Sequence, residues 1–356
     1  MATCASPECS EPGTSFCSSC GLVKYCGRTC QTNDWPRHKK EEGHLRKVGI
    51  THLQKAEGFE RERNFVKSLR SSELALTQLE QLNSRPLDVV EVMDNALRMK
   101  YNAMNFLDQK KEALECARER YSLWAAGHLR DPGMFRATFP LIDGLLHNHE
   151  YEEAVLIAST INEMIINDAD NIISEAEKQY FLAESAQYLA QATYRLAKSG
   201  GIAPEAMQKA GVKAIALSRK ALEIDTQLHG TESHQVAACM GTLASILKFF
   251  NGVDDDEIFR LYEKTIVIYI QLQGNLSPNV AANENNLGNA YRRRADVAAD
   301  AHDMDDCVVK LELALTHYRE VARIYLAINR VDQSARNIVA VEELLRQIRS
   351  KVVVSG

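Results

Sequence analysis

Eight potential metal ligands are concentrated near the start of this chain. They comprise six of its nine cysteines and two histidines, with the spacings C-x4-C, C-x2-C, C-x3-C and H-x5-H: Cys4, Cys9, Cys17, Cys20, Cys26, Cys30, His38 and His44. Closely spaced cysteine pairs bring two thiolates to one metal ion, and four ligands close a tetrahedral structural site. The pattern therefore predicts two structural zinc ions in this segment.

A disulfide framework is the main alternative for so many cysteines. Disulfides need an oxidising compartment, and the chain shows no apolar signal-peptide core near its first residue. Iron–sulfur clusters seldom combine interleaved cysteine pairs with histidine. We therefore expect reduced cysteines, zinc as the metal, and a location in the cytoplasm or the nucleus.

The same segment resembles the MYND finger family. The residues that carry this resemblance are Cys17-x2-Cys20, Tyr25-Cys26, Cys30-Gln31, Trp35 and His38-Lys39. The resemblance implies interleaved ligation. Cys4, Cys9, Cys26 and Cys30 would hold one zinc, and Cys17, Cys20, His38 and one further residue would hold the other. It also implies that Gln31 and Trp35 border a shallow groove for short proline-rich peptides, although Trp35 can equally support the finger by packing.

The last zinc ligand is where this sequence departs from the family. The family pattern ends H-x3-C, and that position is Glu42 here. A helix that persisted from Trp35 would place Glu42 near His38, since residues four apart are neighbours on a helix. Gly43 predicts instead that the helix ends and that the chain folds back to present His44. A second imidazole also leaves the site neutral, so His44 is the expected ligand.

The rest of the chain is typical of a helical protein. Hydrophobic residues make up 45% and charged residues 25%, and only 8 of 356 residues are proline. Apolar residues at helical spacing predict thirteen helices between residues 46 and 349, separated by breaks such as 83–86 and 199–201. The expected fold is all-α, with a finger at 1–45 and a helical repeat domain at 46–356.

An internal repeat accounts for part of this helical region. When residues 217–247 are aligned with 261–291, an offset of 44, eleven of the 31 positions are identical. The matches include Gly230 with Gly274 and Ser233 with Ser277. A period of this length predicts helix pairs that stack to bury a shared core. A helical bundle without repeats is the alternative.

These repeats resemble the tetratricopeptide type, especially the long form in kinesin light chains. The residues that carry this resemblance are 221–224, 228–230, 277–281 and 285–288. It implies an α-solenoid whose first helices line a concave groove that binds extended peptides, through Asn286, Asn289 and Arg293. A solvated polar face would explain these three residues equally well. The last helix, 331–349, is expected to cap the array.

Composition and motifs argue against several functions. The formal net charge of −6 disfavours nucleic-acid binding, and no apolar run is long enough for a membrane span. Phosphate-binding loops, nucleophile elbows and zinc-protease motifs are missing. The sequence therefore predicts a non-enzymatic scaffold that binds short peptides of partner proteins, and no small-molecule substrate. A relative of the SET–MYND lysine methyltransferases and a MYND-type transcriptional co-regulator are the alternatives.

Overall fold

The computed structural model describes residues 9–11, 14–16, 24–82, 87–126, 131–168, 173–252, 256–328 and 335–355. Within these residues there are two short strands and thirteen helices. The strands are β1 (Ser15–Phe16) and β2 (Lys24–Tyr25), and the helices are α1 (Arg28–Arg61), α2 (Phe65–Leu79), α3 (Leu87–Phe106), α4 (Lys110–Ala125), α5 (Pro132–His147), α6 (Tyr151–Ile166), α7 (Glu175–Lys198), α8 (Pro204–His229), α9 (His234–Phe250), α10 (Asp256–Gln273), α11 (Pro278–Asp300), α12 (Met304–Ala327) and α13 (Ala335–Ser355). The expected all-α fold is confirmed.

The chain divides into two compact units. The first contains Met1–Glu150 with Asp170–Ile173, and the second contains Tyr151–Ala169 with Ser174–Gly356. In each unit a helix packs against the next helix in the chain. In the second unit α9 also contacts both α7 and α11, so these three helices lie side by side. This is the expected arrangement of the first helices of successive pairs.

The helix boundaries of the repeat follow from residues that recur at the offset of 44. Gly230 and Gly274 have φ of 78° and 81°, which favours glycine because it has no Cβ, and each lies directly after a helix. Ser233 and Ser277 then begin α9 and α11, and each side chain accepts a hydrogen bond from a backbone N–H of the first turn. The predicted helix-pair repeat is thus confirmed at its most regular junctions.

Small residues let α11 and α12 pack closely. A Cβ atom added to Gly288 would lie 2.9 Å from a ring carbon of Tyr318, closer than side chains tolerate. The Tyr318 ring is fully buried in this contact. Its hydroxyl donates a hydrogen bond to Asn289 Oδ1 at 2.8 Å. Gly288 therefore permits the close packing of α11 against α12.

Helix α1 differs from the sequence-based expectation. A helix was expected from residue 46, whereas α1 begins at Arg28 and continues to Arg61 through Pro36 and Gly43. A glycine within a helix costs only about 1 kcal/mol relative to alanine, so favourable packing can override it. The packing is supplied by Leu53 and Ala56, which are buried in α1. The expected domain boundary at residue 45 lies inside this helix and stays a prediction.

Helix α13 covers the end of the second unit. Val341 and Leu345 are buried in a cluster with residues of α11 and α12, including Leu311 and Tyr318. Glu342 of α13 pairs with Arg319 of α12 at 2.8 Å.

The described part of the chain contains no helix long and apolar enough to cross a bilayer.

Candidate metal centre and interaction surface

A short hairpin and the first turn of α1 bring the described cysteines of the finger together. Ser15 pairs with Tyr25 in the antiparallel strands, and the Thr14 N–H donates to the Tyr25 carbonyl at 3.0 Å. Cys26 directly follows β2, and Cys30 lies in the first turn of α1. A helix N-terminus carries partial positive charge and stabilises thiolates. The local fold therefore places Cys30 where partial positive charge faces a metal-bound thiolate.

Three thiols converge with the geometry of a metal site. The Sγ atom of Cys26 lies 3.5 Å from that of Cys9 and 3.5 Å from that of Cys30. All three sulfur atoms lie within 4.8 Å of one another. Zn–S bonds of about 2.3 Å in a tetrahedron require S···S distances of about 3.8 Å, whereas a disulfide requires about 2.05 Å. The three residues therefore fit zinc, and they are three of the four ligands implied for the first ion.

Aromatic residues support this centre from one side. Tyr25 is 1% exposed, and Cys9, Cys26, Cys30 and Trp35 pack around it. The Tyr25 hydroxyl donates a buried hydrogen bond of 2.8 Å to Asp34 Oδ2. Trp35 therefore supports the finger by packing, as one of the two sequence-based interpretations stated.

The other predicted ligands fall largely outside the described structure. Cys4, Cys17 and Cys20 lie outside the described residues, as do the side chains of His38, Glu42 and His44. The backbone of the last three belongs to α1. The expectation that Gly43 ends the helix is wrong, because α1 continues for eighteen further residues to Arg61. His44 thereby loses the fold-back on which its choice depended.

The predicted peptide-binding residues of the repeat lie on α11, and all three already make hydrogen bonds to neighbouring helices. Asn289 accepts the hydrogen bond from Tyr318 described above. Arg293 is exposed and donates to the Lys248 carbonyl of α9 at 3.3 Å. Asn286 is half-buried, and its carbonyl accepts a hydrogen bond from Lys248 Nζ at 3.3 Å. Asn289 thus connects α11 to α12, while Asn286 and Arg293 contact α9.

Gln31 of the finger is half-buried in the first turn of α1.

Two lysines join Arg293 in what we term the cation cluster: Lys198, Lys248 and Arg293. They come from α7, α9 and α11, the three helices that lie side by side. Burial, with smaller contributions from the positive charges of Lys198 and Arg293, lowers the pKa of Lys248 to about 8. Lys248 is thus close enough to Lys198 and to Arg293 for their charges to act on it.

Aromatic rings surround the cation cluster. Lys248 Nζ lies 5.2 Å from the ring centroid of Tyr262, and Lys198 Nζ lies 5.8 Å from that of Tyr194. The Tyr194 ring meets the Phe249 ring edge-on at 5.5 Å. Cation–π attraction of this kind stabilises an ammonium group that has left water. The rings therefore help to hold the lysines in place and add apolar surface beside them.

Sequence reasoning missed Lys198 and Lys248. Lys248 is equivalent to Arg292 at the repeat offset of 44, so the repeat alignment could have drawn attention to a second basic position. Lys198 ends α7, where cations commonly offset the helix dipole, and it carries no distinguishing local signal.

Comparison with known proteins found similarities for the finger and for the helical region. Residues 4–41 match the family described as zf-MYND, the MYND finger. The chain is similar in structure to the apo form of RapI, with a TM-score of 0.52, 14% identity, and coverage of 85% of this chain and 98% of that one. It also resembles a Rap protein complexed with Competence and Sporulation Factor, with a TM-score of 0.49, 12% identity, and coverage of 85% and 76%.

A further similar structure contains the nearly identical TPR-like repeats of a putative kinesin light chain from Podosopora anserina. Its TM-score is 0.46, with 17% identity and coverage of 65% of this chain and 98% of that one. No curated protein matches the sequence. Residues 4–41 thus match the MYND finger family, and the helical part of the chain has a fold similar to that of RapI.

Proposed function

We propose that this protein is a non-catalytic adaptor whose finger and repeats each bind a short segment of a partner protein. The observation that carries the proposal is the surface where α7, α9 and α11 lie side by side. Charged and aromatic side chains from three helices meet there. A polar face that was only exposed to solvent would not require side chains of three helices to converge. The adaptor would act in the cytoplasm or the nucleus, where thiols stay reduced.

The finger contributes a rigid platform to this function. We propose that two zinc ions hold it, the first bound by Cys4, Cys9, Cys26 and Cys30. When bound, each ion would supply folding energy and no chemistry, because four protein ligands leave no open position. Gln31 and Trp35 follow the first site along α1, and we propose that they border the peptide-binding surface of the finger.

The second zinc needs a ligand that α1 can supply. We propose that Cys17, Cys20 and His38 bind it with Glu42 in place of His44. The continuous helix supports this choice, since positions four apart lie on one face, whereas positions six apart do not. A carboxylate is a less common zinc ligand than imidazole, but its bond length is similar.

A methyltransferase of the SET–MYND kind is a poorer fit. Such an enzyme carries its finger within a strand-rich SET domain. The only strands in the described part of this chain are the two-residue pieces β1 and β2 of the finger itself. A role in transcriptional regulation remains compatible with the adaptor proposal, because it concerns which partners are brought together.

Site-specific photo-crosslinking of the full chain tests the adaptor proposal. A photoreactive residue at position 286, beside the cation cluster, would be compared with one at Lys264, which is exposed on α10. We expect position 286 to crosslink one short stretch of a partner protein in extracts of the source cells, mapped by mass spectrometry, and position 264 to crosslink none. Equal labelling at both positions, or labels scattered over many unrelated sequences, would refute a peptide-binding surface here.

A further inference from the structure

Four side chains of metal-binding type lie where α7, α8 and α9 pack together. We term them the thiol–carboxylate cluster: Glu184, Asp225, His229 and Cys239. Cys239 Sγ lies 3.1 Å from Asp225 Oδ2, and His229 Nε2 lies 3.8 Å from Asp225 Oδ1. Cys239 is fully buried, and Asp225 is 1% exposed. The cluster is thus centred on a carboxyl group that has been removed from water.

Hydrogen-bond acceptors outnumber donors around this carboxyl group, among the residues that the structure describes. The single S–H of Cys239 faces two oxygens, Gln187 Oε1 at 2.8 Å and Asp225 Oδ2 at 3.1 Å, and can donate to only one of them at a time. Asp225 Oδ1 is buried without a hydrogen-bond partner, since His229 Nε2 at 3.8 Å is too distant to donate to it. Buried polar atoms are normally satisfied, so this oxygen indicates a cation as its partner.

The repeat fold does not require these residue types. At the offset of 44, the equivalents of Asp225, His229 and Cys239 are neutral side chains: Tyr269, Gln273 and Asn283. Gln273 Oε1 accepts a hydrogen bond from Ser277, and Asn283 Nδ2 donates to the Asn279 carbonyl at 2.9 Å. The next helix junction is therefore built without a thiol, a carboxylate or an imidazole at these positions. Packing of the repeat alone does not explain the cluster.

The chemistry of the donors selects zinc. Thiolate, imidazole and carboxylate all bind zinc, whereas calcium and magnesium prefer oxygen ligands alone. With Zn–S bonds of about 2.3 Å and Zn–N or Zn–O bonds of about 2.0 to 2.1 Å, tetrahedral ligand pairs lie roughly 3.3 to 3.6 Å apart. The S···O distance of 3.1 Å and the N···O distance of 3.8 Å fall on either side of this range. The His229 side chain is 29% exposed at the end of α8, so it has room to turn toward the ion.

We propose that the thiol–carboxylate cluster binds a structural zinc ion. Cys239, Asp225 and His229 supply three of its ligands, and the Cys239 thiol releases its proton to water as the Zn–S bond forms. Glu184 supplies the fourth. Burial, and then the charge of Asp225, raise the pKa of Glu184 to about 7, and a cation between the two carboxylates offsets that repulsion. The ion joins α7, α8 and α9, and it is separate from the zinc of the finger and from the adaptor function.

The zinc content of the purified full chain tests this inference. Elemental analysis after gel filtration should find one zinc ion fewer per chain in Asp225→Asn and in Cys239→Ala than in the wild type. Glu223→Gln changes an exposed position of the same helix and should keep the wild-type content. Because the result is a difference between variants, it does not depend on how many ions the finger holds.

Hydrogen exchange measured by mass spectrometry locates the ion. The reference is the full chain treated with a chelator, to which Zn²⁺ is then added back. Zinc should slow exchange of the backbone amides of residues 222–240 roughly fivefold or more in the wild type and leave them unchanged in Asp225→Asn. His229→Gln, which keeps a polar side chain, should weaken this zinc response roughly tenfold or more in zinc concentration.

Three results would overturn the inference. They are equal zinc content in the wild type and both ligand variants, protection by zinc that persists in Asp225→Asn, and added zinc that protects residues 28–44 alone. Thermal unfolding without zinc checks that each variant folds, and Asp225→Asn should be no less stable there, because its amide carries no charge. If either buried variant fails to fold, the half-exposed His229→Gln gives the answer, and an unchanged zinc response in it refutes the site.

Discussion

Glu184 of α7 and Asp225 of α8 place two like charges within the second unit. The Asp225 side chain is 2% exposed, and its Oδ2 accepts a hydrogen bond from the buried Cys239 thiol at 3.1 Å. Its other oxygen has no hydrogen-bond partner among the described residues. Burial, with a smaller contribution from Asp225, raises the pKa of Glu184 to about 7. Burial also raises the pKa of Asp225. Burial therefore favours the protonated form of each of these two carboxyl groups.

Glu184→Gln should stabilise the protein at alkaline pH. The pKa of Glu184 is higher in the folded state, about 7, than the ordinary value of 4.5. Its contribution to stability is thus full below pH 4.5 and is lost as the pH rises to about 7. Glutamine cannot ionise, so the variant should exceed the wild type by roughly 2 to 3 kcal/mol at pH 8 and by much less at pH 5. Denaturant unfolding at both values measures this.

The matched control for that experiment is Glu263→Gln, because Glu263 is exposed on α10. Its effect should stay within about 0.5 kcal/mol at either pH. A Glu184→Gln variant whose advantage is the same at pH 5 and pH 8 would show that the carboxyl group does not titrate across this window.

Two single substitutions can identify the last zinc ligand. Glu42→Ala should release one of the two zinc ions of the finger to a chelator much faster than the wild type, while His44→Ala should retain both. The reason is that position 42 follows His38 by one helical turn, and position 44 does not share that face. Elemental analysis during dialysis against a chelator gives the count. Loss of zinc from His44→Ala alone would show that His44 is the ligand, as the sequence analysis predicted.

At the scale of single elements, α13 depends on a narrow apolar stripe. Val341 is 1% exposed and Val339 is 66% exposed, although both are valines of the same helix. Val341→Asp should cost about 3 kcal/mol or more, because an unpaired carboxylate would enter the cluster with Leu311 and Tyr318. Val339→Asp should be nearly neutral. Protease sensitivity within 335–355 and thermal unfolding distinguish the two.

Truncation at residue 330 extends the same argument. Without α13, the apolar surface of Leu311, Leu315 and Tyr318 faces water, so the shortened chain should be less soluble and less stable. A truncated protein that stays monomeric with an unchanged unfolding midpoint would contradict the capping role.

Element boundaries were predictable where short-range chemistry sets them. Gly230 and Ser233 end one helix and begin the next through their own backbone and hydroxyl groups, and Gly274 and Ser277 repeat this. Gly43 carried the same kind of signal, but the helix end that it predicted is wrong, because packing of α1 against α2 outweighs the small cost of an internal glycine.

The cation cluster could not be predicted, since it joins residues about 50 positions apart that meet only after three helices have packed.

At the scale of the whole molecule, zinc and apolar packing stabilise different stretches of one continuous helix. The N-terminal part of α1 contains Cys30 and belongs to the finger, which has one small cluster around Tyr25 in its described part. The C-terminal part packs against α2, where Gly49 meets Leu79 and Ser68 Oγ donates to the Ala56 carbonyl at 3.2 Å. Stability within α1 should therefore change along its length.

Removal of zinc should unfold only the first part of α1. Zinc-bound fingers draw most of their folding energy from the metal, so a chelator should expose the backbone amides of residues 28–44. Residues 47–61 should keep their protection, because their contacts with α2 do not involve the metal. Hydrogen exchange measured by mass spectrometry resolves the two stretches, and re-addition of zinc should restore the first. The far-ultraviolet circular dichroism should fall only slightly, since α2 to α13 remain folded. Loss of protection throughout 28–61, or in α2 as well, would mean that the finger and the first helix pair fold as one cooperative unit.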